Sequence, residues 1–172
     1  MWSQEIYLQA LSFAARVHQG QKLPGGELPY VVHLCQVAME VMAYPEADDL
    51  AVACALLHDT IEDTSASYDD VKSAFGTEIA DGVHALTKNG ALPKEEQMAD
   101  SLVRIQKQPH QVWMVKLCDR ITNLQKPPYY WNEEKRRDYQ AEAMVIWREL
   151  GPAHEPLSRR LRSKIEAYDQ YL

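Results

Sequence analysis

The stretch Leu50-Ala51-Val52-Ala53-Cys54-Ala55-Leu56-Leu57-His58-Asp59-Thr60-Ile61-Glu62-Asp63-Thr64 places one imidazole and three carboxylates directly behind a uniformly apolar run. An apolar run without a polar face is typical of a helix buried in the core. If the helix continues at about 100° per residue, four side chains fall within an arc of roughly 140° and can face one pocket: His58, Asp59, Glu62 and Asp63. Carboxylates at that spacing repel by roughly 0.2–0.5 kcal/mol, and burying them unpaired costs far more, so the cluster favours a bound cation. The alternative is a solvated acidic helix end.

The composition restricts the class of protein. With 172 residues the chain is long enough for one domain, 1–172, with its own core. A formal net charge of −7 argues against nonspecific nucleic-acid binding, which relies on Lys and Arg neutralising phosphates. The longest apolar run is too short to span a membrane, and the N-terminus has no basic region followed by an apolar one. We therefore expect a cytoplasmic protein with three free thiols, Cys35, Cys54 and Cys118.

Helical periodicity, with Pro and Gly as punctuation, predicts an all-α fold. A Gly/Pro-rich loop at 21–29 separates a first helix, at about 3–18, from a second that carries His33 and stops near Pro45. A third helix begins near Asp48 and delivers the acidic cluster. Ser67-Tyr68-Asp69-Asp70 resembles a capping box, and helical segments are predicted to follow it up to about Thr87. Further helices are predicted from Pro93 to about Gln106, between Pro109 and Pro127, and at 132–150 and 155–172.

Two separated polar residues, His33 and Asp119, also lie in apolar helical segments. A lone histidine on an apolar helix is more often a satisfied core residue than a ligand. A lone aspartate beside Arg120 is more often one half of a local ion pair. Spacing alone therefore leaves a metal-binding role open for both.

Four motifs in this order resemble the hydrolase domain of RelA/SpoT-type alarmone enzymes, a branch of the HD phosphohydrolase superfamily. They are Tyr30-Val31-Val32-His33, Ala55-Leu56-Leu57-His58-Asp59-Thr60-Ile61-Glu62-Asp63-Thr64, Phe75-Gly76 with Leu86-Thr87-Lys88, and Val115-Lys116-Leu117-Cys118-Asp119-Arg120-Ile121-Thr122-Asn123-Leu124. The motif-bearing part is about 1–131, and two C-terminal helices follow at 132–172. The chain is too short to include a synthetase domain, so the resemblance implies a small stand-alone alarmone hydrolase with an HD-type helical bundle and a metal site in its core cleft.

The resemblance further implies that one divalent ion, usually Mn²⁺ in this family, is bound by His33, His58, Asp59 and Asp119. Two imidazoles and two carboxylates are tolerable for Mn²⁺, Fe²⁺ or Zn²⁺, and the set lacks the thiolates that would select zinc. Glu62 and Asp63 are then expected to orient the attacking water and accept its proton.

A polyphosphate substrate also needs cations and nucleotide contacts. Lys116, Arg120 and Asn123 lie within about 100° of one another on the predicted helix and could line the site. The resemblance supports Asn123 as a contact to the sugar or base, whereas Arg120 is equally suited to clamping an acidic residue. Further phosphate candidates are Lys22, Lys88 and Lys94.

The chain departs from the family pattern at two places. Lys22-Leu23 stands where the family commonly has an Arg-Lys pair that grips the guanine base and its phosphates, so one cation is missing. Lys126 replaces the Thr that usually follows the matched Asn, and Pro127-Pro128-Tyr129-Tyr130-Trp131 comes next. This aromatic set could stack on a base or anchor the following helix.

The sequence therefore predicts a metal-dependent hydrolase with a small-molecule nucleotide substrate, and it leaves the oligomeric state open. The expected reaction removes pyrophosphate from the ribose 3′ position of guanosine 3′,5′-bis(diphosphate). One alternative is hydrolysis of another nucleotide or of a phosphorylated dinucleotide cofactor. Another is a regulatory nucleotide-binding module without turnover, against which the complete set of ligands and acids argues.

Overall fold

The computed structural model describes all residues from Met1 to Leu172, and helices account for its regular structure. The α-helices are α1 (Gln4–Val17), α2 (Val31–Met42), α3 (Asp49–Leu57), α4 (Thr60–Asp63), α5 (Tyr68–Phe75), α6 (Thr77–Leu86), α7 (Lys94–Ile105), α8 (His110–Asn123), α9 (Glu133–Leu150) and α10 (Glu155–Ala167). Short 3₁₀ turns follow at Gly151–Ala153 and Tyr168–Tyr171. One isolated antiparallel bridge joins Lys22 to Pro29 across the loop between α1 and α2. The predicted all-α class is confirmed.

Helix α3 forms the centre of the bundle. Every residue from Leu50 to Leu57 is buried, as expected for a helix that is apolar on all sides. It packs against α1, α2, α6 and α8. Helix α6 approaches it closely at Gly82, where an added Cβ would lie 2.7 Å from the Cys54 Sγ atom. This enclosure fixes the end of α3, and with it the polar residues that follow.

The acidic stretch does not continue α3 as one helix, so the predicted single arc of four side chains is wrong. Helix α3 ends at Leu57, and His58 caps it. Asp59 then adopts φ −96° and ψ 0°, in the sparsely populated bridge region where many active-site residues lie. The single turn of α4 begins only at Thr60. This change of direction turns Asp59 toward the neighbouring histidines, while the next two acidic residues lie on a separate short turn.

Local capping explains the helix starts on either side of this centre. The Asp48 side chain accepts the Ala51 N–H at the start of α3. Ser67 and Asp70 cap each other's backbone at the start of α5, so the predicted capping box is confirmed with Asp in place of Glu. Each such cap contributes about 1 kcal/mol of stability.

The C-terminal helices complete the enclosure of α8. Helix α9 packs on α8 and α10, and α10 also contacts α8 directly. Arg160 of α10 forms a two-bond ion pair with Glu40 of α2, whose side chain is nearly buried. Helix α8 therefore lies inside the bundle, with its polar residues inside as well. No helix combines the length and the apolar character needed to cross a membrane.

Candidate active site

Three helices bring two imidazoles and one carboxylate together in the core. His33 comes from the first turn of α2, His58 from the end of α3, and Asp119 from the inner face of α8. All three residues are buried, and one ligand atom of each lies within 4.8 Å of the others. The two histidine Nε2 atoms are 3.3 Å apart, and Asp119 Oδ1 is 3.4 Å and 3.6 Å from them. The side chains thus converge on one point.

Asp59 joins this cluster from its edge. Its Oδ2 atom lies 3.0 Å from the Nε2 atom of His58 and 3.7 Å from that of His33. The tight group of three does not include Asp59, whose side chain is also more exposed than those of the others. The four residues predicted as metal ligands are therefore brought together, with three of them in mutual contact range and the fourth beside the histidines.

Hydrogen bonds hold the ligand atoms in orientation. The Nδ1 atom of His58 is 2.9 Å from the Ala55 carbonyl, which can only accept, so Nδ1 carries a hydrogen and Nε2 faces the cluster. The Tyr30 hydroxyl donates to Asp59 Oδ2 at 2.6 Å. Partners of this kind orient the ligands of metal sites and fix the histidine tautomer.

Asp119 is held by two neighbours on its own helix. Lys116 Nζ donates to Oδ2 at 3.2 Å, and Asn123 Nδ2 donates to Oδ1 at 2.5 Å. Lys116 is itself buried, and its ammonium group forms an ion pair with this carboxylate. Both Lys116 and Asn123 were predicted as substrate contacts, and the structure places both beside Asp119.

The electrostatics of the cluster favour positive charge at its centre. Burial by itself would lower the pKa of His58, but the carboxylates of Asp59 and Asp119 outweigh it and raise that pKa well above its usual value. Burial opposes ionisation of Asp59, yet His58 lowers its pKa to about 2. The pKa of Asp119 also falls well below its usual range, because Lys116 and the histidines outweigh burial. The donor set, the inward-facing Nε2 atom of His58 and these directions all fit a divalent cation.

The two remaining acidic residues lie beside the cluster on α4. Glu62 Oε2 accepts the Lys88 backbone N–H at 2.8 Å, and its other oxygen is 3.8 Å from Lys88 Nζ. Partial desolvation, followed by the charges of Asp59 and Glu62, raises the pKa of Asp63. A carboxylate with a raised pKa accepts a proton more readily, which is the property that a general base needs.

A cleft of about 390 Å³ opens beside His33. Leu23 and Leu28 line one wall, whereas Pro128 lines the other. The walls touch at Gly25, where an added Cβ would lie 3.1 Å from the Pro128 Cα atom. The remaining lining residues are Pro24, Gln36, Thr122, Asn123, Gln125, Lys126, Pro127, Trp131 and Tyr139. The aromatic segment after Lys126 therefore contributes Trp131 to the cleft, whereas Tyr129 and Tyr130 stay exposed.

A larger cavity, of about 600 Å³, lies elsewhere on the molecule. It is bordered by Tyr44 and residues of α10, among them Arg159 and Arg160, and contains none of the clustered polar residues. Arg160 is already paired with Glu40. The smaller cleft beside His33 is therefore the relevant one for chemistry at the cluster.

Two predicted substrate contacts are placed differently from expectation. Arg120 is buried and binds Glu142, with its guanidinium 4.2 Å from the Tyr139 ring centroid, so the ion-pair alternative is the one realised. Lys22 pairs with Glu27 on the loop surface and does not line the cleft. Long basic side chains reach whichever acid the fold brings near, and helical angles cannot identify that partner.

Sequence reasoning missed three residues that support this site. Tyr30 stands in the same motif as His33, one helical turn before it, and binds Asp59. His18 and Gln21 were assigned to a helix end and a loop, but Gln21 Nε2 donates to the Asp63 carbonyl at 2.6 Å. A histidine next to a Gly-rich loop was the available signal.

Comparisons with known proteins agree with this geometry. A family model described as an HD domain matches residues 10–155, and the chain belongs to that family. The enzyme named guanosine-3′,5′-bis(diphosphate) 3′-pyrophosphohydrolase MESH1 from Danio rerio is 30% identical over 166 residues, which cover 93% of this chain and 92% of that protein. The resemblance inferred from the motifs is thereby confirmed.

Two further similarities bear on length and fold. A guanosine-3′,5′-bis(diphosphate) 3′-pyrophosphohydrolase from Aquifex aeolicus is 34% identical over 156 residues, which cover 89% of this chain but only 21% of that protein. The chain thus spans about a fifth of the length of that longer relative. The solved structure of a metazoan ortholog of SpoT, described as hydrolysing ppGpp, superposes with a TM-score of 0.86 at 27% identity and covers 100% of this chain and 99% of that one.

Proposed function

We propose that this protein is a metal-dependent phosphohydrolase that removes pyrophosphate from the ribose 3′ position of guanosine 3′,5′-bis(diphosphate) and leaves GDP. The observation that carries the proposal is the convergence of His33, His58 and Asp119, with Asp59 beside them, at one end of a cleft wide enough for a nucleoside. A relative that bears this activity in its name aligns over nearly its whole length.

The four clustered residues hold one divalent ion, which we assign as Mn²⁺. The mixed nitrogen and oxygen donors without thiolate suit this ion, and the Nε2 atom of His58 already faces inward. When bound, the ion lowers the pKa of a coordinated water and neutralises charge on the phosphoryl group under attack. Tyr30, Lys116 and Asn123 would keep the two carboxylates oriented toward the ion.

Asp63 and Glu62 act on the attacking water. Asp63 accepts the proton, because its pKa is raised and it lies on the turn directly after the cluster. Glu62 orients the water. It also holds the turn at Lys88 through the backbone N–H of that residue, so that the ammonium group stays near the site and can neutralise substrate phosphate. Arg120 is removed from the substrate contacts, since Glu142 binds its guanidinium in the core.

The nucleoside occupies the cleft beside His33. Asn123 lines it and contacts the sugar, and Lys126 lines the same cleft. Leu23 and Trp131 enclose the base from both walls with apolar and aromatic surface.

Product analysis tests this reaction directly. Purified protein with Mn²⁺ and the guanosine alarmone should release pyrophosphate and GDP in equal amounts, since attack at the 3′ phosphoryl group removes the outer pair intact. Release of single phosphates would contradict the proposal.

Two isosteric variants test the acid residues. Glu62→Gln and Asp63→Asn should keep metal and nucleotide binding while turnover falls by roughly 10²–10⁴. Asp138→Asn, at an exposed position of α9, serves as the matched control and should leave turnover unchanged. Parental rates in both site variants would remove them from the mechanism.

The cleft itself favours one second candidate, hydrolysis of another ribose-phosphate nucleotide such as a phosphorylated dinucleotide. Leu23 makes a wall apolar where the family commonly carries a cation, and Lys22 is tied to Glu27. The ratio of kcat/KM for the guanosine alarmone to that for its adenosine analogue and for dinucleotide phosphates decides between the two. A preference of more than about tenfold for one of the others, equivalent to about 1.4 kcal/mol, would select the second candidate.

A further inference from the structure

A buried imidazole outside the metal cluster lies close to the short helix α4, which carries Glu62 and Asp63. His18 follows the last residue of α1 and is only 3% exposed, yet it has no role in the metal site. Its ring stacks on Tyr30, with the ring centroids 5.1 Å apart and the planes at 23°. Its Nε2 atom is buried without a hydrogen-bond partner. Buried polar atoms are nearly always paired, so this residue calls for an explanation beyond packing.

Hydrogen bonds connect His18 to Asp63. The Nδ1 atom of His18 is 2.7 Å from Gln21 Oε1, and Gln21 Nε2 donates to the Asp63 carbonyl at 2.6 Å. Because a carbonyl can only accept, the Gln21 amide must turn its NH₂ group to Asp63 and its oxygen to His18. His18 therefore carries its hydrogen on Nδ1 and donates it to Gln21, which fixes both the tautomer and the amide orientation.

The same imidazole is also connected, through Tyr30, to Asp59 at the start of α4. Tyr30, on which His18 stacks, donates its hydroxyl hydrogen to Asp59, the residue before α4. Gln21 holds Asp63, the last residue of α4. We infer that His18 is a positioning residue that acts through Gln21 to set the orientation of Asp63 in the reaction. This inference rests on the proposed function, because it assumes that Asp63 takes the proton of the attacking water.

The loop that carries Gln21 does not depend on this side-chain contact. Leu23 N–H donates to the Leu28 carbonyl at 2.9 Å, and Tyr30 N–H donates to the Gln21 carbonyl at 3.0 Å. These backbone hydrogen bonds keep the cleft wall in place when the side-chain hydrogen bonds from His18 through Gln21 to Asp63 are lost. Loss of the His18 contact should therefore affect the acid, and with it kcat, more than substrate binding.

Four substitutions test the connection. His18→Ala and Gln21→Ala should each lower kcat by about tenfold, the cost of a misplaced catalytic group or lost hydrogen bond, while KM and metal content stay within about twofold of the parent. His18→Asn keeps an NH₂ group where Nδ1 was and should stay within about threefold of parental kcat, whereas His18→Gln places its amide at the Nε2 position and should not rescue. Gln19→Ala, at the exposed neighbouring position, is the control and should be silent.

A double-mutant cycle separates positioning from general loss of structure. In an Asp63→Asn background, His18→Ala should cause no further loss of kcat, because the group that it positions is already inactive. Independent, multiplicative losses would overturn the inference, as would a raised KM with unchanged kcat or an asparagine variant no better than alanine. Melting temperatures of all variants are measured alongside, so that a folding defect is recognised.

Amide hydrogen exchange provides a readout that does not need a substrate. The Asp63 N–H donates to the Asp59 carbonyl at 2.9 Å, and its exchange should become about tenfold faster in His18→Ala and recover in His18→Asn. If the parent hydrolyses no nucleotide, the proposed function has failed, and exchange alone then decides the inference. An unchanged Asp63 exchange rate in His18→Ala overturns it.

Discussion

Removal of the metal ion should destabilise the fold by an amount that grows with pH. An ion present at about 100 times its dissociation constant stabilises the native state by about 2.7 kcal/mol. For a domain of this size, each kcal/mol corresponds to about 2–4 °C in melting temperature. The melting temperature of the chelated protein should therefore lie about 5–11 °C below that of the Mn²⁺-loaded protein.

The sign of the pH dependence follows from His58. Its pKa in the folded protein is raised well above 6.5, so its proton stabilises the metal-free protein fully below about pH 6.5. That contribution is lost as the pH rises through the raised value. The metal must displace this proton, so its binding strengthens over the same range. The difference in melting temperature between loaded and metal-free protein should thus widen as the pH rises from about 6 to about 8.5.

Thermal unfolding with and without Mn²⁺, at several pH values and after removal of metal by chelation, measures this difference. Asp119→Ala should abolish it and should retain no stoichiometric metal by elemental analysis, because it removes the buried carboxylate whose Oδ1 atom lies 3.4 Å and 3.6 Å from the two histidine Nε2 atoms. Asp138→Ala, on the exposed face of α9, should behave as the parent does. Identical melting of loaded and chelated parent, a difference that narrows with rising pH, or metal retained by Asp119→Ala would refute the reasoning.

Three further substitutions separate the roles assigned above. Tyr30→Phe removes only the hydroxyl that orients Asp59, and calorimetric titration should show metal affinity lowered by about 10–100-fold; unchanged affinity would contradict that role. Arg120→Ala leaves Glu142 without its partner and should lower the free energy of unfolding, measured with denaturant, by about 2–3 kcal/mol; a fully buried pair would cost more, but Glu142 is 35% exposed. The kcat/KM of the folded fraction should stay parental. A selective loss of activity would instead mean that Arg120 contacts the substrate. Leu23→Lys adds an ammonium group at the cleft wall and should lower KM for the guanosine alarmone by about tenfold or more; an unchanged KM would mean that another cation already binds the phosphates.

The buried elements of this fold were predictable because their physical signals are local. The apolar run before His58 identified the core helix, and the Ser67 box identified the start of α5. Proline at positions 93 and 109 marked the starts of α7 and α8. Hydrophobic periodicity and capping depend on neighbours within one turn, so they can be read without knowing the tertiary structure.

The site was predictable only in part, because its remaining features depend on contacts between distant segments. The break at Asp59 arises where α3 leaves the core, and no residue type at that position signals it. Arg120 was placed correctly on its helix, but its partner Glu142 lies on α9, 22 residues away. Gln21, which connects His18 to Asp63, lies 42 residues from Asp63 in the sequence. Pairings of this kind appear only when the packed structure is known.

The contact between Gly25 and Pro128 gives the cleft a fixed aperture. Gly25 has φ +74°, a backbone conformation that disfavours any side chain, and the space above it is filled by Pro128. A larger residue at position 25 would wedge the two walls apart, so its effect would appear first in which bases are admitted. The width of the cleft is thus limited at a point where two loops, distant in sequence, leave no room for a single added carbon atom.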